Sequence, residues 1–194
     1  MANDPTKIRF APQGAVYLAP AVGATLPTEV GDGKTAPTGY TSLGYLSDAG
    51  CVITPTVTAD PVNAWQSAVP VLFNVSAATF SVQATFIETN INTTELFWGA
   101  SWAEVTPTEG GTVNTWRLDL SSVPELQEIS LVVDWGQGSK LNRVVIPRSM
   151  VQDRGAITLV RNAAQEYQLT IDALDSGGTL GYVLTNQDMT TTAP

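Results

Sequence analysis

The chain has 194 residues, of which 43% are apolar and 14% charged, with a formal net charge of −9. That is too apolar and too weakly charged for a solvated disordered chain, and the length suits one domain with a sizeable core. The acidic balance disfavours a groove that grips phosphates, while the lack of histidine and the presence of one cysteine, Cys51, exclude histidine-dependent nucleophilic catalysis, nearly every catalytic zinc site and an internal disulfide framework.

Residues 1–39 are broken by Pro5, Pro12, Pro20, Pro27 and Pro37 with glycines between them. Only Ala15-Val16-Tyr17-Leu18 reads as a strand there, and 19–40 reads as a long loop of a length that is usually functional or disordered. Lys7 and Arg9 have no apolar run behind them, so no secretory signal is expected, and no stretch approaches ~18 consecutive apolar residues, so neither is a membrane anchor. Segments 43–46 and 51–57 read as short strands separated by a turn at Ser47-Asp48-Ala49-Gly50. Segments 61–66 and 69–75 carry Pro61 and Pro70, which suit a sheet edge or a strand start. The clearest alternation is in 79–86: Phe80, Val82, Ala84 and Phe86 on one face, Thr79, Ser81, Gln83 and Thr85 on the other.

Asn92-Thr93-Thr94-Glu95 has the spacing of a capping box. A helix of about two turns is expected to follow through Leu96, Phe97 and Trp98, with Gly99 as its left-handed stop. Three hairpins come next: 102–106 with 112–120 across Gly110-Gly111, 129–135 with 140–146 across Gly136-Gln137-Gly138, and 167–174 with 179–184 across Asp175-Ser176-Gly177-Gly178. Residues 162–166 suggest a short helical turn, and 186–194 a polar tail. The expected fold is mainly β: a single domain over 1–194, an antiparallel β-sandwich or partial barrel with one short flanking helix. Its arms are 1–13, the loop 19–40 and the C-terminal 186–194.

Charge is segregated along the chain. Residues 88–134 carry net −7, whereas 135–161 carry net +4 from Lys140, Arg143, Arg148, Arg154 and Arg161 against Asp153. Complementary patches of this kind set register between identical subunits stacked head to tail, and solvated strand faces explain them equally well. Trp65, in a Pro-flanked segment, is the best candidate for an interface anchor. Gly136-Gln137-Gly138 lacks the third glycine and following helix of a dinucleotide fingerprint, and Asp172 and Asp175 lack the ligand spacing of a calcium loop, so no metal and no cofactor are expected.

Several segments, in order, carry a family resemblance: Gly14-Ala15-Val16-Tyr17-Leu18-Ala19-Pro20, Tyr40-Thr41-Ser42-Leu43-Gly44-Tyr45-Leu46-Ser47-Asp48-Ala49-Gly50, Ala64-Trp65-Gln66-Ser67, residues 78–88, and Thr94-Glu95-Leu96-Phe97-Trp98-Gly99. Together they resemble the major tail tube proteins of long-tailed bacteriophages. The resemblance implies a structural, non-enzymatic virion protein, made in the host cytoplasm and placed in the tail. It implies hexameric rings stacked into a tube, with the genome passing through the lumen at ejection without specific binding. Tape-measure, tail-terminator and tip proteins are the implied partners. Segments 1–13, 19–40, 52–75 and the tail after 186 are the candidates for reaching neighbouring rings. Two alternating strands free of Lys and Arg would face the lumen through Ser81, Gln83 and Thr85, and through Gln168, Thr170 and Asp172. The inter-subunit candidates are Trp65 and the basic set Lys140, Arg143, Arg148, Arg154 and Arg161. The alternative from another class is a ligand-binding β-sandwich, an adhesin or baseplate-associated module that binds carbohydrate or protein through Trp65 or Trp116.

Overall fold

A computed structural model describes residues 5–105, 114–123 and 126–189. The strands are β1 (Gln13–Pro20), β2 (Thr41–Ser42), β3 (Leu46–Val62), β4 (Leu72–Phe86), β5 (Trp102–Val105), β6 (Thr115–Leu118), β7 (Ile129–Gln137), β8 (Lys140–Arg154), β9 (Tyr167–Ala173) and β10 (Tyr182–Thr185), with helix α1 (Ile91–Trp98) between β4 and β5. One antiparallel sheet runs β2–β1–β7–β8–β9–β4–β3, with β10 added to β8, and β5 pairs with β6 apart from it. Among the described residues the sheet does not close into a barrel.

The main core joins the two halves of this sheet. Val16, Leu131, Val133, Val144 and Ile146 from β1, β7 and β8 pack with Val82, Ala84, Phe86, Leu169 and Ile171 from β4 and β9. Strand β8 belongs to both halves, pairing with β10 over Asn142–Val145 and with β9 from Ser149 onward. The transition is a bulge: Ile129 pairs with Ser149 but Leu131 with Ile146, so Pro147 and Arg148 drop out of register. Two buried serines satisfy the carbonyls there, Ser130 Oγ donating to Ile146 O (3.2 Å) and Ser149 Oγ to Ile129 O (2.9 Å).

The reverse face of the β1–β7–β8 half carries Tyr17, Ala19, Val132 and Val145, covered by Ala24, Leu26, Ala36 and Tyr40 of the long loop. That is why β7 reads almost continuously apolar: it is buried on both faces. Loop 19–40 therefore lies across its own subunit, whereas an arm reaching a neighbour was expected. The Tyr182 hydroxyl donates to Pro27 O (2.7 Å), and Asp32 Oδ1 accepts from the Lys34 and Thr35 N–H groups (2.9 and 2.7 Å). Those hydrogen bonds, the Lys34 one foremost, hold the Asp32 carboxyl down at about 2.

Other expectations shift for identifiable reasons. Ser47-Asp48-Ala49-Gly50 is not a turn between strands; it is an irregular stretch inside β3, where pairing jumps from Leu46–Phe86 to Cys51–Ala84 and Gly50 takes φ 71°. The separate segments around Pro61 and Pro70 merge into one long β3–β4 hairpin, and both Pro55 and Pro61 are tolerated because β3 is the last strand of the sheet. The helix is capped two residues early: Asn90, not Asn92, accepts from the Thr93 N–H (2.9 Å), and Glu95 accepts from the Trp102 N–H (2.7 Å), so it does not reach back to the cap. Gly99 does end the helix in the left-handed conformation, φ 67°. β10 cannot form a hairpin with β9, because β8 and β4 already occupy both edges of β9. Residues 161–162 form a turn where a helical turn was expected at 162–166. The hairpin between β7 and β8 has its expected partners across Gly138-Ser139, with Gly138 at φ 61°. The Gly110-Gly111 turn, residues 1–4 and the end of the tail from 190 lie outside the described residues.

The Leu43-Gly44-Tyr45 segment fixes α1 to the sheet. Buried Leu43 offers its carbonyl to Asn90 Nδ2 (3.1 Å) and to Thr93 Oγ1, while the Tyr45 N–H donates to Glu88 Oε2 (3.0 Å). Gly44 sits at φ 88°, and a Cβ there would lie 2.6 Å from Glu88 Oε2 and Asn90 Nδ2. Gly44→Ala should therefore cost about 2 kcal/mol. In a chain of this size that is a fall in melting temperature of roughly 4–8 °C, read by circular dichroism. An unchanged midpoint would refute the assigned strain.

Candidate functional site

The six alternating polar residues come together. Pairing of β4 with β9 sets Ser81 opposite Asp172, Gln83 opposite Thr170 and Thr85 opposite Gln168. All six lie exposed or half-buried on one face, while Val82, Ala84, Leu169 and Ile171 anchor the other face in the core. The rows continue across the sheet, through Thr54 and Val52 on β3 and through Met150 and Asp153 on β8. Asp153 and Asp172 are the charges in those rows, and no Lys or Arg occupies them. The result is an open, polar, cation-free wall.

Beyond this wall the β3–β4 hairpin leaves the body. β9 pairs with β4 only from Ser81 to Phe86, whereas β3 and β4 continue pairing outward to Val62 and Leu72. From Thr54 to Val62 that is roughly 27 Å at ~3.3 Å per residue. The projecting part is exposed on both faces, and it is apolar: Val57, Val62, Val69, Val71, Leu72, Phe73 and Val75 all face solvent. Trp65, in the connection at its tip, is 100% exposed. Asp60 is the only charged residue between 51 and 86.

The basic residues of 135–161 do not form one surface. Arg143 is 4% exposed; its Nε and Nη2 donate to the two oxygens of Asp134 (2.6 Å each) and its Nη1 to Glu29 O (2.8 Å). It is engaged inside the subunit, which corrects its expected inter-subunit role. Asp134 and Arg143 are equidistant from the Gly138-Ser139 turn, so hairpin register alone faces them; that signal was legible in the sequence. Arg148 chelates Glu128 (3.0 and 2.9 Å) and donates to Asp175 O (2.8 Å), and its guanidinium holds the Glu128 carboxyl below its ordinary value. Arg154 is half-buried, with its Nε lacking a hydrogen-bond partner. Lys140, next to the β7–β8 turn, and Arg161, in the loop before β9, are exposed.

The segments around Arg9 and Asn186-Gln187 meet beside the β7–β8 turn. Asn186 accepts from the Leu141 N–H (2.9 Å) and donates to Ser139 O (2.7 Å), and Arg9 donates to Gln187 Oε1 (2.7 Å). Cys51 is half-buried, and burial pushes its thiol up to about 11, which leaves little thiolate for chemistry at neutral pH.

The family model described as phage tail tube protein matches residues 1–194. Comparison with curated proteins gives no match. Among solved structures, a chain from the virion of a native gene transfer agent particle aligns at 10% identity with a TM-score of 0.42, covering 76% of this chain and 89% of that one. A chain from the cryo-EM structure of the anti-feeding prophage baseplate, six-fold symmetrised, aligns at 9% identity with a TM-score of 0.48, covering 95% and 97%. With its family match running from end to end, the chain belongs to the phage tail tube proteins, structural components of the virion tail.

Proposed function

We propose that this protein builds its tube by assembling into hexameric rings that stack, with the β4–β9 wall turned toward the lumen and the β3–β4 hairpin gripping neighbouring copies. The number six is carried over from the family resemblance, as are the tape-measure, terminator and tip proteins as further partners. The function so read is mechanical, with no catalytic step. A wall without cations lets DNA slide, because lysine or arginine there would hold phosphates. Ser81, Gln83, Thr85, Gln168, Thr170 and Asp172 are its lumen residues, while Trp65 is the primary contact between subunits. Lys140, Arg154 and Arg161 remain available for such contacts.

The observation that carries this reading is the hairpin. A two-stranded ribbon is at best marginally stable in water, and its unpaired edges invite association. Here the ribbon exposes an apolar surface on both sides, which copies of the same chain would cover. Purified protein is expected to form tubes or ring stacks in negative-stain micrographs. Removing 57–78 and joining Thr56 to Thr79 by an Asn-Gly turn should leave the folded body, read by circular dichroism, but no tubes. Tubes formed as readily by the shortened chain, or strict monomers of the full chain at high concentration, would overturn the reading.

A further inference from the structure

We infer that the cleft between β1 and the start of β3 is the socket for the hairpin tip of a second copy, with Trp65 as the inserted anchor. This rests on the assembly reading above and adds the receiving surface.

The cleft holds about 860 Å³ and is lined by Ala15, Tyr17, Ser47, Ala49, Ile53 and Trp135 among others. That is the size of pockets that enclose whole ligands of several rings. Its two rims are strand edges. Among the described residues, β2 covers β1 only at Tyr17 and Leu18, and β3 has no strand beyond it, since it pairs with β4 alone. Such edges accept an incoming strand through backbone hydrogen bonds.

The hairpin supplies what the cleft lacks. Among the described residues, no strand neighbours its β3 edge or its β4 edge from Leu72 to Phe80. Residues 61–76 carry no charge, so the tip itself brings none to desolvate, although Lys34, Asp48 and Glu88 also line the cleft. The subunit cannot fill its own socket. Cys51, on the cleft wall, and Val62, at the base of the tip, are eleven residues apart on one extended strand, roughly 35 Å at ~3.3 Å per residue. A protrusion and a recess at different places on one chain make a head-to-tail contact, which propagates into rings or filaments.

The test uses full-length protein with Cys51→Ser, so that introduced thiols are the only ones. Gln66→Cys beside the anchor and Ala49→Cys in the cleft are combined, and assembled tubes are treated with a short bismaleimide. The expected result is a ladder of covalent oligomers on a denaturing gel, absent with either cysteine alone. Separately, Trp65→Ala should raise the concentration needed for assembly on the order of tenfold or more, as truncation of an aromatic anchor does. Tubes without the ladder, or Trp65→Ala assembling at the wild-type concentration, would sink the socket while leaving the tube intact. Linking of the cleft to Met189→Cys in place of Gln66→Cys would give the socket to a neighbour's C-terminal tail, and would also overturn it. Failure of the unmodified protein to form tubes would remove the assembly reading and this inference with it.

Discussion

Arg143→Ala should lower the melting temperature by roughly 6–20 °C, the equivalent of about 3–5 kcal/mol lost when one member of a buried ion pair is removed from a domain this size. The two side chains are 5% and 2% exposed and meet through paired 2.6 Å hydrogen bonds, so alanine strands the Asp134 carboxylate in the interior. The same change undocks the long loop, because Arg143 also holds Glu29 O and packs so closely on Gly31 that a Cβ there would collide with it. Lys34 is the only tryptic site between 21 and 40. Cleavage after it should therefore accelerate in the variant. The reciprocal change, Asp134→Ala, strands the Arg143 guanidinium in the same place and should cost a similar amount. Replacing both with apolar residues of similar volume should recover most of the loss. A single variant within about 1 kcal/mol of wild type would show that the pair carries no such weight.

This pair also shows where sequence reading succeeds and where it stops. Local patterns with a fixed period were legible. The alternation in 79–86 and 167–173 identified both faces of the wall, and the β7–β8 hairpin follows from a glycine turn between two apolar runs. Register about that turn also sets Asp134 opposite Arg143, but only the fold shows that the pair is buried rather than on the surface. The same limit applies to β10. Sequence adjacency and a glycine turn favour pairing it with β9, but both edges of β9 are already filled by strands remote in sequence. Competition for a strand edge is a property of the whole sheet, invisible within a twenty-residue window. The long loop misled for a related reason. Its proline and glycine content correctly excludes regular structure, but Ala24, Leu26, Ala36 and Tyr40 are spaced to match the back of the sheet and no helical or strand period. In the hairpin, Pro61 marked an edge strand correctly, while the Ser47–Gly50 cluster imitated a turn because a bulge uses the same residue types.

Gln83→Lys should convert assembled tubes from inert to DNA-binding. Gln83 is exposed in the middle of the wall, facing Thr170 across β4–β9 and Val52 across β3–β4, so lysine fits there without disturbing the core. Its effect on folding should stay within about 0.5 kcal/mol, as for surface substitutions generally. In the proposed rings every copy contributes one ammonium to the same circle, and stacking repeats the circle along the tube. DNA held by 6–10 such contacts loses affinity on the order of 10³–10⁵-fold between 50 and 200 mM salt, so the binding should be equally salt-sensitive. Unmodified tubes should retain no duplex under the same conditions. Circular and linear DNA distinguish a lumen from an outer surface. A short linear duplex can enter an open-ended tube, whereas a covalently closed minicircle cannot thread one. Retention of the linear duplex alone places Gln83 inside. Equal retention of both forms would put the wall on the exterior, and with it Ser81, Thr85, Gln168, Thr170 and Asp172, which share its face.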